Sequence, residues 1–205
     1  MQAMILAAGR SSRLGPIGMT LPKPLLPVCG YPAIRFGIEL CRRAGLEDIV
    51  INVHHHRDRI QQTLGDGTSL GVHLRYSIEE ELLGTGGGLW KARPMFSPGP
   101  VLVLNGKVAA DIDLADVIAA HHDAPAGTLA TMVVREDPNP ELWAPLGVDT
   151  TSAVLSIRGS APSGRLRDPS CRVCLLAFIS SSRGCLIAFR KGYRMLSATP
   201  TSQRC

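Results

Sequence analysis

The chain has 205 residues, 45% hydrophobic and 19% charged, which suits one folded domain with a substantial core and excludes a disordered chain. No apolar run is long enough to span a bilayer, and the first residues form neither a basic n-region nor a cleavage site, so a cytoplasmic protein with no membrane partner is expected. The net charge of +5 is uneven: residues 1–159 carry −2 and residues 160–205 carry +7. A basic tail ordinarily suggests nucleic acid or a membrane surface, but this tail reads as out of frame, so no nucleic-acid partner is expected.

Strand and helix signals alternate through residues 1–159, which predicts an α/β domain with a mainly parallel sheet and crossover helices. An apolar strand at residues 3–8 runs into the small-residue loop Gly9, Arg10, Ser11, Ser12, Arg13. After a short break comes Leu21-Pro22-Lys23-Pro24-Leu25. A helix is predicted over 33–44, stopped by Gly45, then a strand over 49–53 and a short helix over 58–64 ending at Gly65. A third strand covers 72–76. The glycine-rich stretch 84–88 is expected to lead into a helix over 89–92. The wholly apolar run 101–104 reads as a central buried strand. Asp113 or Asp116 opens a helix that reaches His121, and later strands cover 128–134 and 154–157. Open sheets of this kind bind ligands at the carboxyl ends of their strands. The loop after the first strand, the glycine run and the end of the 101–104 strand are therefore expected to share one crevice.

The chemistry concentrates in the same places. Small residues let successive backbone N–H groups approach an anion, and Arg13 and Lys23 add full charges suited to phosphate oxygens. Backbone amides at the head of a helix after Gly84 and Gly86 can hold an anion or read a base edge. His54, His55 and His56 read as a strand-end loop, because adjacent residues on extended backbone point to opposite faces. His121 and His122 suit a helix carboxyl end. Arg42 and Arg43 read as a solvated helix face, and Met19 and Met95 as packing residues. The first loop lacks G-x-G-x-x-G, and no acidic residue follows the second strand at the expected place, which argues against a dinucleotide-dependent dehydrogenase.

The linked segments Leu6-Ala7-Ala8-Gly9-Arg10-Ser11-Ser12-Arg13-Leu14 and Pro22-Lys23-Pro24-Leu25 resemble the signature of the sugar-1-phosphate nucleotidyltransferases. That family has a second glycine where Ser11 stands, so the swap is expected to require a backbone with φ below zero there. Glu81-Leu82-Leu83-Gly84-Thr85-Gly86 is similar to its base-contacting segment, and Trp143-Ala144-Pro145-Leu146-Gly147 to the segment whose glycine, here Gly147, approaches the sugar. The resemblance implies a Rossmann-like three-layer fold and transfer of a nucleotidyl group from a nucleoside triphosphate to a sugar-1-phosphate, releasing pyrophosphate. It implies catalytic roles for Arg13 and Lys23, and nucleotide binding by Leu6, Ala7, Ala8, Gly9, Arg10, Ser11, Ser12, Gly84, Gly86 and Asn105. The Gly-Thr-Gly-Gly-Gly form leans toward GTP and mannose-1-phosphate. Uridylyltransferases of the muramic-acid-phosphate type have a similar run, and a nucleotide-binding protein without turnover stands beside both.

Two departures matter. The resemblance implies Mg²⁺, but the position of the family's metal-binding aspartate is Lys107, and a protonated lysine cannot ligate a metal. Asp111 and Asp113 read as a turn and a helix N-cap. A second metal-binding aspartate and most of the sugar-binding half are expected to be missing. Residues 160–205 also hold four of the six cysteines, Cys171, Cys174, Cys185 and Cys205, without clean periodicity. Back-translated from Leu175 and read one base earlier, the segment can spell FAGIHIFEPRLLDRL and continue without a stop. Its opening resembles the family's Phe-x-Gly-Ile-His segment. The reading is therefore a nucleotidyltransferase domain over 1–159 and an out-of-frame, poorly ordered tail over 160–205, with the shift between Arg158 and Cys174.

Overall fold

The computed structural model describes residues 1–126, 128 and 130–135, together with the strand segments 146–148, 154–157, 173–175 and 193–198. In chain order the elements are β1 (Gln2–Leu6), α1 (Pro16–Thr20), β2 (Pro27–Val28), β3 (Tyr31–Pro32), α2 (Ile34–Arg43), β4 (Asp48–Val53), α3 (Arg57–Leu64) and β5 (His73–Ile78). They continue with α4 (Gly84–Ala92), β6 (Val101–Asn105), α5 (Leu114–His122), β7 (Ala130–Arg135), β8 (Leu146–Val148), β9 (Val154–Ile157), β10 (Val173–Leu175) and β11 (Tyr193–Ala198). Strand and helix positions match the sequence expectation to within a few residues.

Five strands form one parallel sheet in the order β10-β6-β1-β4-β5. Side chains alternate across it, as strand geometry requires. Ala3, Ile5, Ile49, Ile51, Leu102 and Leu104 face one core with α2, α3 and α5, while Met4, Val50, Val101 and Val103 face a second with Ala92 of α4. Both faces are covered, which explains why these strands read as continuous apolar runs. Burying one such aliphatic side chain stabilises the fold by about 1.5–3 kcal/mol. Gly45 stops α2 with φ +73°, and the Asp113 carboxylate caps α5 by accepting the Ala115 N–H at 2.9 Å. The N-cap reading of Asp113 holds, and Asp111 is exposed.

Two local expectations change. The glycine run is the first turn of α4 itself, not a loop before it. Met19 is 75% exposed on α1 rather than packed, whereas Met95 packs against the second core. His121 and His122 lie in the last turn of α5 as expected, and His121 is buried there, its Nδ1 2.9 Å from the Thr131 hydroxyl of β7. Within the region read as an aberrant tail, β10 pairs in parallel with β6 and β11 antiparallel with β7. Apart from these two strands, the tail lies outside the described residues.

Candidate functional site

The strand order reverses at β1, with β4 and β5 on one side and β6 on the other. A cleft of about 360 Å³ opens at that point, at the carboxyl ends of β1, β4 and β6. It is lined by Leu6, Ala7, Ala8, Gly9, Arg10, Ser11, Ser12, Arg13, Lys23, Pro24, Asn52, Leu82, Gly84, Thr85, Asn105 and Lys107. The crevice expected from the sequence is thus assembled from the loop after β1, the Pro-Lys-Pro turn, the head of α4 and the end of β6. Of the anticipated residues, Gly86 lies on α4 but does not line the cleft. Gly147 lies in β8, whose side-chain surroundings fall outside the described residues.

The loop after β1 is held in one shape. Ser11 adopts φ +57°, ψ 16°, the left-handed region. The expectation of a negative φ is therefore wrong. A non-glycine residue there is strained by about 1–2 kcal/mol. Two interactions hold it: the buried Ser11 hydroxyl accepts the Lys23 backbone N–H at 2.9 Å, and the Ser11 carbonyl accepts the Leu14 N–H at 2.9 Å. The serine thereby ties the small-residue loop to the lysine turn, a link that glycine lacks. The peptide oxygen of Ser11 also presses on Gly18 of α1, where there is no room for a Cβ.

Arg13, Lys23 and Lys107 line this cleft, and so does Arg10. Burial and the neighbouring Arg13 guanidinium lower the Lys23 ammonium below its usual range. The half-buried Lys107 is lowered first by burial, then by Lys23 and by Arg13. Among the described residues, no carboxylate pairs with any of the four. The arrangement can neutralise a polyanion. It does not suit Mg²⁺, which takes oxygen ligands and at least one carboxylate in such sites. The cleft lining contains no Asp or Glu, and no group of three metal-ligating side chains exists among the described residues. His54, His55 and His56 fit the strand-end reading. His54 Nδ1 lies 2.9 Å from the Glu79 carbonyl, and His56 Nε2 lies 3.3 Å from the Gly18 carbonyl.

Beneath the cleft lies a buried polar chain that sequence reasoning missed. The Asn52 side-chain carbonyl accepts the Ala7 N–H at 2.9 Å, and its amide donates to Glu79 Oε1 at 2.7 Å. Glu79 Oε2 accepts the Leu83 N–H at 3.1 Å, fixing the entry to α4. Glu79 is 1% and Asn52 3% exposed. Gly88 packs directly on this pair: a Cβ there would stand 2.7 Å from both Asn52 Nδ2 and Glu79 Oε1. Two walls of the cleft, the β1 loop and the head of α4, are thus fastened to each other. The available signal was Asn52 itself, a polar residue inside the apolar run of β4.

The nucleotidyl transferase family profile matches residues 2–157. Over 146 residues the chain is 42% identical to an N-acetylmuramate alpha-1-phosphate uridylyltransferase of Neisseria meningitidis serogroup B, covering 69% of this chain and 62% of that protein. Over 136 residues it is 31% identical to a mannose-1-phosphate guanylyltransferase of Mycobacterium tuberculosis, covering 66% and 38%. The crystal structure of HddC from Yersinia pseudotuberculosis superposes with a TM-score of 0.63 at 25% identity, covering 76% of this chain and 68% of that one. The chain thus spans 62% and 38% of the two sequence relatives' lengths, less than two thirds of each. The profile match spans well over half of the chain, and this chain belongs to the nucleotidyl transferase family.

Proposed function

We propose that the cleft binds a nucleoside triphosphate and serves transfer of its nucleotidyl group to a sugar-1-phosphate. The observation that carries this reading is the convergence of Arg13, Lys23 and the β1 loop on one cleft at the sheet's switch point. In this reading a sugar-phosphate oxygen attacks the α-phosphorus, the bond to the bridging β-phosphate oxygen breaks, and pyrophosphate leaves. Gly9, Arg10, Ser11 and Ser12 cradle the triphosphate. Arg13 and Lys23 stabilise the charge that develops on the departing pyrophosphate. Leu6, Ala7, Ala8, Gly84 and Asn105 border the nucleoside, and Gly147 the sugar. Most of the rate would come from positioning and electrostatics. The 42% identity to a uridylyltransferase supports UTP with a muramate-type sugar phosphate. The guanylyltransferase relative and the glycine-rich head of α4 support GTP with mannose-1-phosphate.

Lys107 favours a second reading, nucleotide binding without turnover. The frame shift between Arg158 and Cys174 belongs to the same account, and the end of the family match at residue 157 supports it. The test is pyrophosphate release by the 205-residue chain and by a frame-corrected chain, each supplied with UTP or GTP and the matching sugar-1-phosphate. Turnover by the corrected chain alone supports transferase ancestry with a disabled product. Nucleotide binding with no turnover by either supports the second reading. Failure of both chains to bind nucleotide contradicts both readings.

A further inference from the structure

The cleft is lined by four cations from three separate segments: Arg10 and Arg13 from the loop after β1, Lys23 from the Pro-Lys-Pro turn and Lys107 from the segment after β6. Among the described residues no acid lines the cleft or pairs with these groups. Clustering like charges in a partly buried place is unfavourable: the ammonium groups of Lys23 and Lys107 are lowered first by burial and then by their cationic neighbours. A polyanion relieves it. A divalent cation adds to it, because it would enter a positive cleft that offers no carboxylate oxygen.

We propose that Lys107 is a built-in counter-ion, so that the cleft takes the metal-free polyphosphate of a nucleoside triphosphate and Mg²⁺ competes with the protein for that ligand. This rests on the nucleotide reading above but makes a separate demand on it. Free Mg²⁺ neutralises part of the triphosphate charge, and the complexed nucleotide then has less to offer the cations of the cleft. The metal acts here as an antagonist of binding.

Calorimetric titration of the full 205-residue chain with UTP and with GTP, first in EDTA and then with stepwise excess Mg²⁺, tests this without any variant. Saturable binding in EDTA that weakens about tenfold or more in excess Mg²⁺ is the expected result, the equivalent of losing one charge-assisted contact. In EDTA, Lys107→Met should bind about tenfold or more weakly. Lys107→Asp should reverse the order, with Mg²⁺ strengthening binding. Nucleotide binding that needs or gains from Mg²⁺ in the unaltered chain overturns the inference and leaves the nucleotide reading standing. Equal affinity of the unaltered chain and Lys107→Met in EDTA also overturns it. No binding of either nucleotide in either buffer overturns both.

Discussion

Gly88 and Gly86 sit two residues apart on α4, and the structure predicts opposite outcomes when each becomes alanine. At Gly88 the new Cβ would stand 2.7 Å from Asn52 Nδ2 and 2.7 Å from Glu79 Oε1, so the buried pair must move. Overpacking of this kind destabilises by about 1–3 kcal/mol. Weakening the 2.7 Å amide-to-carboxylate hydrogen bond adds up to about 1.5–3 kcal/mol. The combined loss, about 2.5–6 kcal/mol, lowers Tm by roughly 5–24 °C for a domain of this size. At Gly86 the new Cβ meets nothing within 4 Å. There the gain in helix propensity stabilises by about 0.5–1 kcal/mol. Urea unfolding followed by circular dichroism measures both variants against the parent chain. Because Asn52 also holds the Ala7 N–H at the cleft wall, Gly88→Ala should weaken nucleotide binding in the same preparation. Two variants within about 0.5 kcal/mol of each other would refute the assignment of Gly88 as the seat of the Asn52–Glu79 pair, since surface substitutions stay in that range.

Other consequences are as specific. Ser11→Ala keeps the φ +57° strain but loses the hydroxyl that accepts the Lys23 N–H, so it should cost about 1–2 kcal/mol, while Ser11→Gly relieves the strain as it loses the bond and should fall near neutral in the same unfolding assay. Lys23 and Lys107 are held below the usual lysine value of 10.5, so the folded chain binds fewer protons than the unfolded one, and stability should rise with pH on approach to 10.5. A bound polyphosphate restores those protons, so titrations at mildly alkaline pH in buffers of different ionisation enthalpy should show proton uptake; proton release would contradict the charge assignment. Burial pushes the Cys41 thiol up to about 12, so mass mapping after brief alkylation near neutral pH should find exposed Cys29 modified well before Cys41.

The sheet and the cleft were legible because their signals are local. β1, β4 and β6 declare themselves as apolar runs, and the loop carrying Arg13 and the turn carrying Lys23 lie next to strand ends in the sequence. Asn52 and Glu79 were not legible as a pair, since they are 27 residues apart and meet only through the parallel pairing of β4 with β5. The start of α4 was misplaced because glycine signals a loop by propensity, while here the Glu79 carboxylate and the contact of Gly88 with Asn52 define the first turns. Ser11 misled for a related reason. A rule about φ holds for an isolated residue, and tertiary hydrogen bonds override it. Met19 is exposed rather than packed, because a short helix is placed by what packs on it.

The central claim is that this cleft is where a nucleotide binds. Amide hydrogen exchange of the 205-residue chain, with and without saturating UTP or GTP in EDTA, tests it most directly. The account predicts added protection in peptides covering 6–13, 23–25, 82–88 and 105–107, with little change in α3 or at the β2–β3 hairpin. Protection confined to other segments, or no protection with either nucleotide in EDTA or in Mg²⁺, would contradict it.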